Sequence, residues 1–556
     1  MGLSMTDSRQ DVGVHVPQLS QDIFKGIPFA SAPRYQLAQS LNETWKGARV
    51  AVEPGLTCPG FGTNNDFGWA IGEDCLNLNV VRPLGITANS KLPVLVWICG
   101  GGFQQGSNRD PNFNTSYILQ TSVEIGHPVI VVSINYRLSG FGFLSGVEVQ
   151  AQGVSNLGLR DQWKALEWIS ENIEDFGGDP NQVTIWGESA GAMSSAFLTT
   201  AYGGNNHGLF HRAIMTSGTA FGVPYLGSIA SQTVYNTLTN ATGCYYAIDS
   251  LQCLRDLPFA ILNATLAAVP SPLAFLVSLD GDIIRNSPSY AIAHSPPLVA
   301  PIDIITGCNA EEGISPALLG QSSYNSKAEI SAFLQYVLDL DASSADEYLS
   351  LYPENKQYPP YGEPMSLDWP ALTATVGVQS GKLTRMFYEI MGDLFMMSGR
   401  RLLASSWSAM LPQNKAYSYR WDVYPTSMPF FHNAVVNGLG FSQHAADVSY
   451  QFRLPHIRGP DLPPLPNTTA MQRVSYAMQS QWVSFAATGD PNAHSLAWIP
   501  DWPAYTIDNA QNFVYNVTLH DTLHLRVERD DFRTKQLAWI NARLTFLNKG
   551  LKLLAL

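Results

Sequence analysis

Charged residues are scarce in this sequence, and positive charge is the scarcer of the two signs. Only 14% of the 556 residues are charged, and 32 lysines and arginines stand against 45 aspartates and glutamates, for a net charge of −13. No basic cluster interrupts this acidity. Because binding to a phosphate backbone depends on positive charge, we expect no nucleic-acid partner.

Long apolar runs are also absent. The longest, LPVLVWI and HPVIVVSINY, have the length of strands, whereas a membrane-spanning helix needs about 20 apolar residues. The start, MGLSMTDSRQDVGVHV, has no apolar core flanked by basic residues and is not a signal peptide as written. Six Asn-x-Ser/Thr sequons favour secretion with a leader removed, the alternative being an intracellular protein. The sequons begin at Asn42, Asn114, Asn240, Asn263, Asn467 and Asn516.

Cysteine is rare, since six residues in so long a chain cannot form a disulfide scaffold. Cys99 and Cys308 stand in apolar surroundings, and we expect them to be free and buried. No spacing of cysteines and histidines matches a metal site, and neither an H-E-x-x-H motif nor a P-loop is present, so we expect no metal and no cofactor. The other four cysteines form two locally spaced pairs, Cys58 with Cys75 and Cys244 with Cys253.

What the sequence does contain is an alternation of strand and helix patterns. The runs KLPVLVWICGGGF and HPVIVVSINYRLSGFGFL are typical of strands buried on both faces. In GLRDQWKALEWISENIEDFGG, apolar residues at three- and four-residue steps predict a helix that ends at Gly177 and Gly178. A strand at 183–186 and a helix through AMSSAFLTT follow, and RAIMTSG, IDIITGC and AYSYRWDV predict further strands. The alternation predicts a mainly parallel sheet with helices on both faces.

Two later segments have helical patterns of their own. Residues 320–410 carry long apolar stretches and predict a helical insertion that covers the sheet. The end of the chain, 532–556, predicts either a helix that docks on the body or an amphipathic membrane helix. Docking is favoured, because the charges there are few and the apolar residues suit a core-facing helix.

The stretch VTIWGESAGA, residues 183–192, places a serine between two glycines where a strand meets a helix. A serine nucleophile must stand clear of the backbone, and a sharp strand-to-helix turn exposes it. Such a turn leaves no room for side chains two positions away, which explains Gly187 and Gly191 around Ser189. A structural glycine-rich turn is the alternative.

An acyl-transfer site also needs N–H donors for the oxygen that becomes negative. The segment CGGGF ends the strand at 92–99 and predicts donors at Gly101 and Gly102, with a third at Ala190 at the helix start. A simple connecting turn is the alternative here.

Several segments together resemble the type-B carboxylesterases, the α/β-hydrolases that include cholinesterases and long fungal lipases. They occur in family order across roughly 30–510, and the resemblance implies one elaborated α/β-hydrolase domain over 1–556, with a mainly parallel central sheet. The segments are EDCLNLNV (73–80), WICGGGF (97–103), NLGLRDQWKALEWISENIEDFGGDPNQVTIWGESAGA (156–192), CLRDL (253–257), DGDII (280–284), AEEG (310–313) and GDPN (489–492).

The resemblance implies a catalytic triad. Ser189 matches the nucleophile, Glu312 the acid directly before a glycine, and His444 the histidine followed three residues later by an acid, Asp447. Glu311 is the rival acid, and His432 and His456 are rival histidines that lack this acid. The resemblance also implies the disulfides Cys58–Cys75 and Cys244–Cys253. Asn77 and Cys99 depart from residues common in the family and affect only wall packing near the oxyanion hole.

These features predict a serine hydrolase that cleaves a small carboxylic ester through an acyl-enzyme, with oligomeric state left open. Only 16 residues lie between Cys58 and Cys75 (75 − 58 − 1), which is short for a lipase lid, so we expect short to medium acyl or soluble esters. The alternatives are an acyltransferase or biosynthetic enzyme that uses the same serine, and a non-catalytic cholinesterase-like scaffold. Candidate pocket residues, each with simple packing as its alternative, are Trp69, Phe103, Glu188 and Phe221.

Overall fold

The computed structural model describes most of the chain. The described ranges are 2–5, 11–41, 49–62, 68–220, 228–269, 274–313, 323–338, 340–352, 381–423, 442–453, 467–518 and 520–547.

A large mixed sheet forms the centre of the fold. Its order is β1-β2-β3-β7-β9-β8-β10-β11-β12-β13-β14-β15, with β6 beside β2, while β4 and β5 pair separately. The seven adjacent strands from β9 to β14 in this order run parallel to one another. The pairs on either side, β7 with β9 and β14 with β15, are antiparallel. The strands are β1 Gly2–Met5, β2 Asp11–Val16, β3 Gln21–Pro28, β4 Ala30–Ser31, β5 Gln39–Ser40, β6 Arg49–Val50, β7 Asn77–Pro83, β8 Leu92–Ile98, β9 Ile130–Ile134, β10 Gly178–Glu188, β11 Arg212–Thr216, β12 Asp303–Asn309, β13 Ala416–Val423, β14 Gln511–Val517 and β15 Arg526–Arg529.

Helices connect and flank these strands. The α-helices are α1 Ser116–Glu124, α2 Ser139–Phe143, α3 Val147–Ala151, α4 Leu157–Asn172, α5 Ala190–Thr200, α6 Ser228–Thr242, α7 Ser250–Asp256, α8 Phe259–Ala267, α9 Pro288–His294, α10 Lys327–Leu338, α11 Ala342–Ser350, α12 Thr384–Gly392, α13 Ser398–Met410, α14 Val448–Gln451, α15 Thr469–Thr488 and α16 Thr534–Leu547. A π-helical turn at Asp393–Met397 joins α12 to α13.

The central strands are buried on both faces, as their continuous apolar patterns predict. All five residues of β9 and all eight of β13 are buried. Side chains from both faces therefore enter one hydrophobic core, which includes Trp97, Trp186 and Trp421. The predicted strands of the central sheet and the predicted mainly parallel arrangement are confirmed. Strand β10 is longer than the predicted 183–186, and its pairing with β8 is irregular between Gly178 and Val183.

The parallel arrangement brings the carboxyl ends of the strands to one edge of the sheet. The serine turn follows β10, the glycine segment follows β8, and the AEEG segment follows β12. Three motifs that lie far apart in sequence therefore meet at this edge.

Both predicted disulfides, Cys58–Cys75 and Cys244–Cys253, are formed. Cys99 and Cys308 are free and buried, as predicted.

The predicted cap and C-terminal segments are helical where the structure describes them. Helices α10 to α13 lie within 320–410. Helix α16 buries Leu537 and Ile540 completely, and it contacts α9 and α13. The assignment of 320–410 as a cap, and of 1–556 as one domain, stays a prediction.

Candidate active site

Ser189 occupies the turn between β10 and α5 in an unusual backbone conformation, with φ 54° and ψ −123°. This conformation is rare for a residue with a side chain and indicates strain. The flanking glycines permit it: a Cβ at Gly187 would lie 2.3 Å from the carbonyl carbon of Gly191, and one at Gly191 would lie 2.0 Å from the carbonyl oxygen of Ile98. The glycines therefore allow the close approach that the strand-to-helix turn requires.

His444 lies between Ser189 and Glu312. Its Nε2 is 2.9 Å from Ser189 Oγ, and its Nδ1 is 2.6 Å from Glu312 Oε2. Glu312 is buried, and the His444 side chain is 11% exposed. A carboxylate at Nδ1 fixes the tautomer in which Nε2 can accept a proton from the serine. The three residues are thus arranged for proton transfer.

Two further groups hold the Glu312 carboxylate. Its Oε1 accepts hydrogen bonds from Ser217 Oγ and from the Asn309 backbone N–H, both at 2.6 Å. Ser217 was not predicted from the sequence. A signal was present in RAIMTSG, because Ser217 directly follows β11, the strand between β10 and β12.

A second buried acid lies beside this arrangement. Asp447 accepts hydrogen bonds from Tyr419 Oη at 2.9 Å and from Asn309 Nδ2 at 3.3 Å. Burial, and next the charge of Glu312, raise the pKa of Asp447 to about 6. Asp447 therefore adds negative charge near the imidazole without contacting Ser189.

Glu188 is a third carboxylate close to the imidazole. Its Oε1 lies 3.5 Å from His444 Nε2, and burial raises its pKa to about 8 although His444 opposes the shift. For His444, burial lowers the pKa, but Glu312 and Glu188 outweigh it and raise the value to about 9. The surrounding carboxylates therefore stabilise the imidazolium that a serine mechanism generates.

The candidate oxyanion donors lie beside the serine turn. Gly101 and Gly102 have φ of 101° and 63° in the loop after β8, and a Cβ at the preceding Gly100 would lie 3.2 Å from Ser189 Cβ. Within the described residues, neither glycine uses its N–H in a backbone hydrogen bond. The Ala190 N–H begins α5, where helical N–H groups have no partner in the helix.

The other candidate residues have different surroundings. The carboxylate of Glu311, the rival acid, points to Arg385, with Oε1 2.8 Å from Arg385 Nη2. Phe103 is buried and its ring packs on Phe143 at 4.9 Å, whereas Trp69 is partly exposed. The roles of Phe103 and Trp69 as pocket walls stay predictions. Three candidates lie outside the described residues: Phe221, His432 and His456.

Within the described part of the chain, no three His, Cys, Asp or Glu side chains are grouped so that they could hold a metal ion. Among the same residues, no helix is long and apolar enough to cross a bilayer.

The parallel sheet and the serine turn at its carboxyl edge define an α/β-hydrolase. The family described as "Carboxylesterase family" matches residues 10–537. The chain therefore belongs to the carboxylesterase family, and it is a carboxylic ester hydrolase.

Fungal enzymes are among its relatives. Secreted lipase 1 of Botryotinia fuckeliana is 31% identical over 523 residues, which cover 87% of this chain and 84% of the relative. Lipase 2 of Geotrichum candidum is 31% identical over 548 residues, which cover 89% and 88%. Among solved structures, EstA of Aspergillus niger matches with a TM-score of 0.78 and 25% identity over 97% of both chains.

Proposed function

We propose that this chain hydrolyses soluble or short- to medium-chain carboxylic esters, with Ser189 as nucleophile, His444 as general base and acid, and Glu312 as the triad acid. The observation that carries the proposal is the continuous contact from Ser189 Oγ through His444 to Glu312, at 2.9 and 2.6 Å. These three residues supply the nucleophile, the base and the acid that ester hydrolysis requires.

In the first half-reaction, Ser189 Oγ attacks the ester carbonyl carbon while its proton passes to His444 Nε2. The carbonyl oxygen becomes negative and accepts hydrogen bonds from the N–H groups of Gly101, Gly102 and Ala190. His444 then gives its proton to the leaving alkoxide oxygen as the carbon–oxygen bond breaks. The alcohol departs and leaves Ser189 acylated.

In the second half-reaction, water takes the place of the alcohol. His444 Nε2 accepts a proton from the water as the water oxygen attacks the acyl carbon. The bond to Ser189 Oγ then breaks, and the same proton returns to Oγ. The products are a carboxylic acid and the free enzyme.

The preference for short or soluble esters rests on the loop closed by Cys58 and Cys75, which is short for a lipase lid. The loop is also attached to the segment that carries the oxyanion glycines. In the loop, the Phe61 N–H donates to the Gln104 carbonyl at 2.7 Å. Thr57, directly before Cys58, places its Oγ1 3.2 Å from Ser107 Oγ. These contacts favour a fixed entrance over a lid that opens at an oil surface.

Secretion and N-glycosylation also belong to the proposal. One relative, Secreted lipase 1 of Botryotinia fuckeliana, is described by its name as a secreted enzyme. Two disulfides are typical of an oxidising compartment, and the six sequons supply acceptor sites.

The test is a panel of nitrophenyl esters of increasing acyl length, measured with the native protein and with Ser189→Ala. We expect kcat to fall by roughly a factor of 10⁶ in the variant, because no hydroxyl remains to form the acyl-enzyme. A serine-directed phosphonate should label the native protein only. An unlabelled native protein that is inactive on every ester would contradict the proposed mechanism. A maximum at long chains with a rise above the solubility limit would contradict only the proposed substrate class.

A further inference from the structure

Two adjacent glutamates on the turn after β12 contact different partners. Glu312 Oε2 contacts His444 Nδ1 at 2.6 Å, whereas Glu311 Oε1 accepts a hydrogen bond from Arg385 Nη2 at 2.8 Å. Both glutamates are buried, with 3% exposure for Glu311 and 2% for Glu312. We propose that Glu311 and Arg385 are positioning residues, whose ion pair holds this turn so that Glu312 meets His444 at hydrogen-bond distance. The inference rests on the proposed triad and goes beyond it.

The backbone of Glu311 touches the chain that carries the histidine. Its N–H donates to the Ser442 carbonyl at 3.0 Å, and Glu311 forms an isolated parallel bridge with Gln443. Gln443 directly precedes His444. A shift of Glu311 would therefore move the triad acid and the histidine relative to each other.

Helix α12 lies behind the same turn and carries Arg385. A Cβ at Gly313 would be 1.7 Å from the Tyr388 carbonyl oxygen, so the helix backbone packs directly on the turn. Arg385 reaches Glu311 from one helical turn before Tyr388. The helix thus contacts the residue before Glu312 through an ion pair, and the residue after it through backbone packing.

Arg385 is in turn fixed by further charges. Its Nη2 is also 2.7 Å from Glu389 Oε1, and Glu389 Oε2 accepts from Arg533 Nη1 at 2.7 Å. Arg533 Nη2 is 2.6 Å from Asp393 Oδ1. Alternating charges therefore link the Glu312 turn to Arg533, at the start of the C-terminal helix α16.

This arrangement indicates which substitutions preserve the fold. Glu311→Gln leaves Arg385 paired with Glu389, so no positive charge is buried alone. Burial raises the pKa of Glu311 and Arg385 opposes that shift, so loss of the arginine favours the neutral carboxyl over an unpaired buried charge. Arg385→Met also leaves Glu389 paired with Arg533. Both variants are therefore suitable for kinetics.

The matched control is Arg160→Met. Arg160 is an arginine of similar exposure with two carboxylate partners, since Nη2 is 3.1 Å from Asp280 and Nη1 is 2.8 Å from Asp282. It lies on α4 and contacts no residue of the proposed triad. Loss of an ion pair alone should lower the melting temperature of both methionine variants.

The experiment measures kcat, KM and melting temperature on a nitrophenyl ester for Arg385→Met, Glu311→Gln and Arg160→Met. We expect Arg385→Met to lower kcat by roughly 10- to 100-fold with KM within about twofold, since displacement of a catalytic group by about 1 Å can cost 10²-fold. Glu311→Gln should show a smaller loss of the same kind, and Arg160→Met should keep its kcat. Native-like kcat in folded Arg385→Met, or an equal kcat loss in Arg160→Met, would overturn the inference. If Arg385→Met does not fold, a native-like kcat in Glu311→Gln would overturn the inference instead.

A spectroscopic reading separates this inference from the proposed function. The proton on His444 Nδ1 that faces Glu312 should give a far-downfield proton NMR signal, which does not depend on turnover. We expect this signal to move upfield or broaden in Arg385→Met and to stay in place in Arg160→Met. An unchanged signal in both would overturn the positioning role, whereas failure of the triad itself would appear as retained activity in Ser189→Ala.

Discussion

At the scale of single residues, the site depends on where negative charge lies around one imidazole. Glu312 contacts His444 Nδ1, and Glu188 lies on the Nε2 side. Asp447 accepts a hydrogen bond from the Asn309 side chain, whose backbone N–H donates to Glu312. Burial alone would keep the histidine neutral, yet its pKa is raised from 6.5 to about 9. The carboxylates therefore shift His444 towards the protonated imidazole relative to a free histidine, and the active base form gains population as pH rises.

Glu188 gives a prediction for the pH dependence of activity. A general base must be unprotonated, so we expect the acidic limb of kcat/KM to lie above the ordinary histidine pKa of 6.5. Glu188 lies 3.5 Å from Nε2 and carries negative charge above its own pKa of about 8. Glu188→Gln therefore destabilises the imidazolium in that pH range and should move the limb to lower pH. Glu148→Gln, on helix α3, is the control that removes an acid away from the site. A limb that stays in place in Glu188→Gln would refute the assigned influence of this carboxylate.

At the scale of secondary-structure elements, the sequence could predict the strands but not all the contacts at their ends. Continuous apolar runs identified β8, β9 and β11 to β13 because both faces of these strands are buried. The role of Ser217 could not be read this way, since its contact with Glu312 joins the ends of neighbouring strands. The partner of Glu311 was equally hidden, because Arg385 lies 74 residues away on α12.

The two disulfide loops give a prediction at this scale. Each bond restricts the unfolded chain, and a loop of about 15 residues contributes roughly 3 kcal/mol of stability in the chain-entropy model. Replacing Cys58 and Cys75 by alanine, or Cys244 and Cys253 by alanine, should therefore lower the melting temperature in both cases. Only the first pair closes a loop that donates a hydrogen bond to Gln104, through the Phe61 N–H, beside the candidate oxyanion glycines.

Ester hydrolysis by the two double variants distinguishes support of the site from support of the fold. We expect kcat/KM to fall roughly tenfold without Cys58–Cys75, because the donor loop loses its anchor. Without Cys244–Cys253, which joins the segment after α6 to α7, kcat/KM should stay near the native value at temperatures where the protein is folded. Equal activity in the two folded variants would mean that the first loop does not support the donors.

At the scale of the whole molecule, the charge links cross long stretches of sequence. Arg400 and Arg401 on α13 pair with Asp530, and Arg533 pairs with Glu389 and Asp393. These contacts join the end of the chain to helices α12 and α13, and α12 packs on the Glu312 turn. Docking of 532–556 was predicted from its few charges and its apolar residues. The ion pairs of Arg533 could not be predicted, because their partners are set by tertiary folding.

The molecular surface finally divides the sequons, which are equivalent in sequence, into usable and hindered sites. A glycan attaches to the side-chain nitrogen of asparagine and needs open solvent beyond it. Asn114, Asn240 and Asn467 are exposed, whereas Asn516 lies in β14 and donates through Nδ2 to the Asp422 carbonyl at 2.7 Å. We expect protein secreted from a eukaryotic host to carry glycans at Asn114, Asn240 and Asn467 and none at Asn516. Peptide mass spectrometry before and after endoglycosidase treatment measures this occupancy. A glycan at Asn516 would contradict the prediction, because it would require the Asn516 side chain to leave its hydrogen bond with the Asp422 carbonyl.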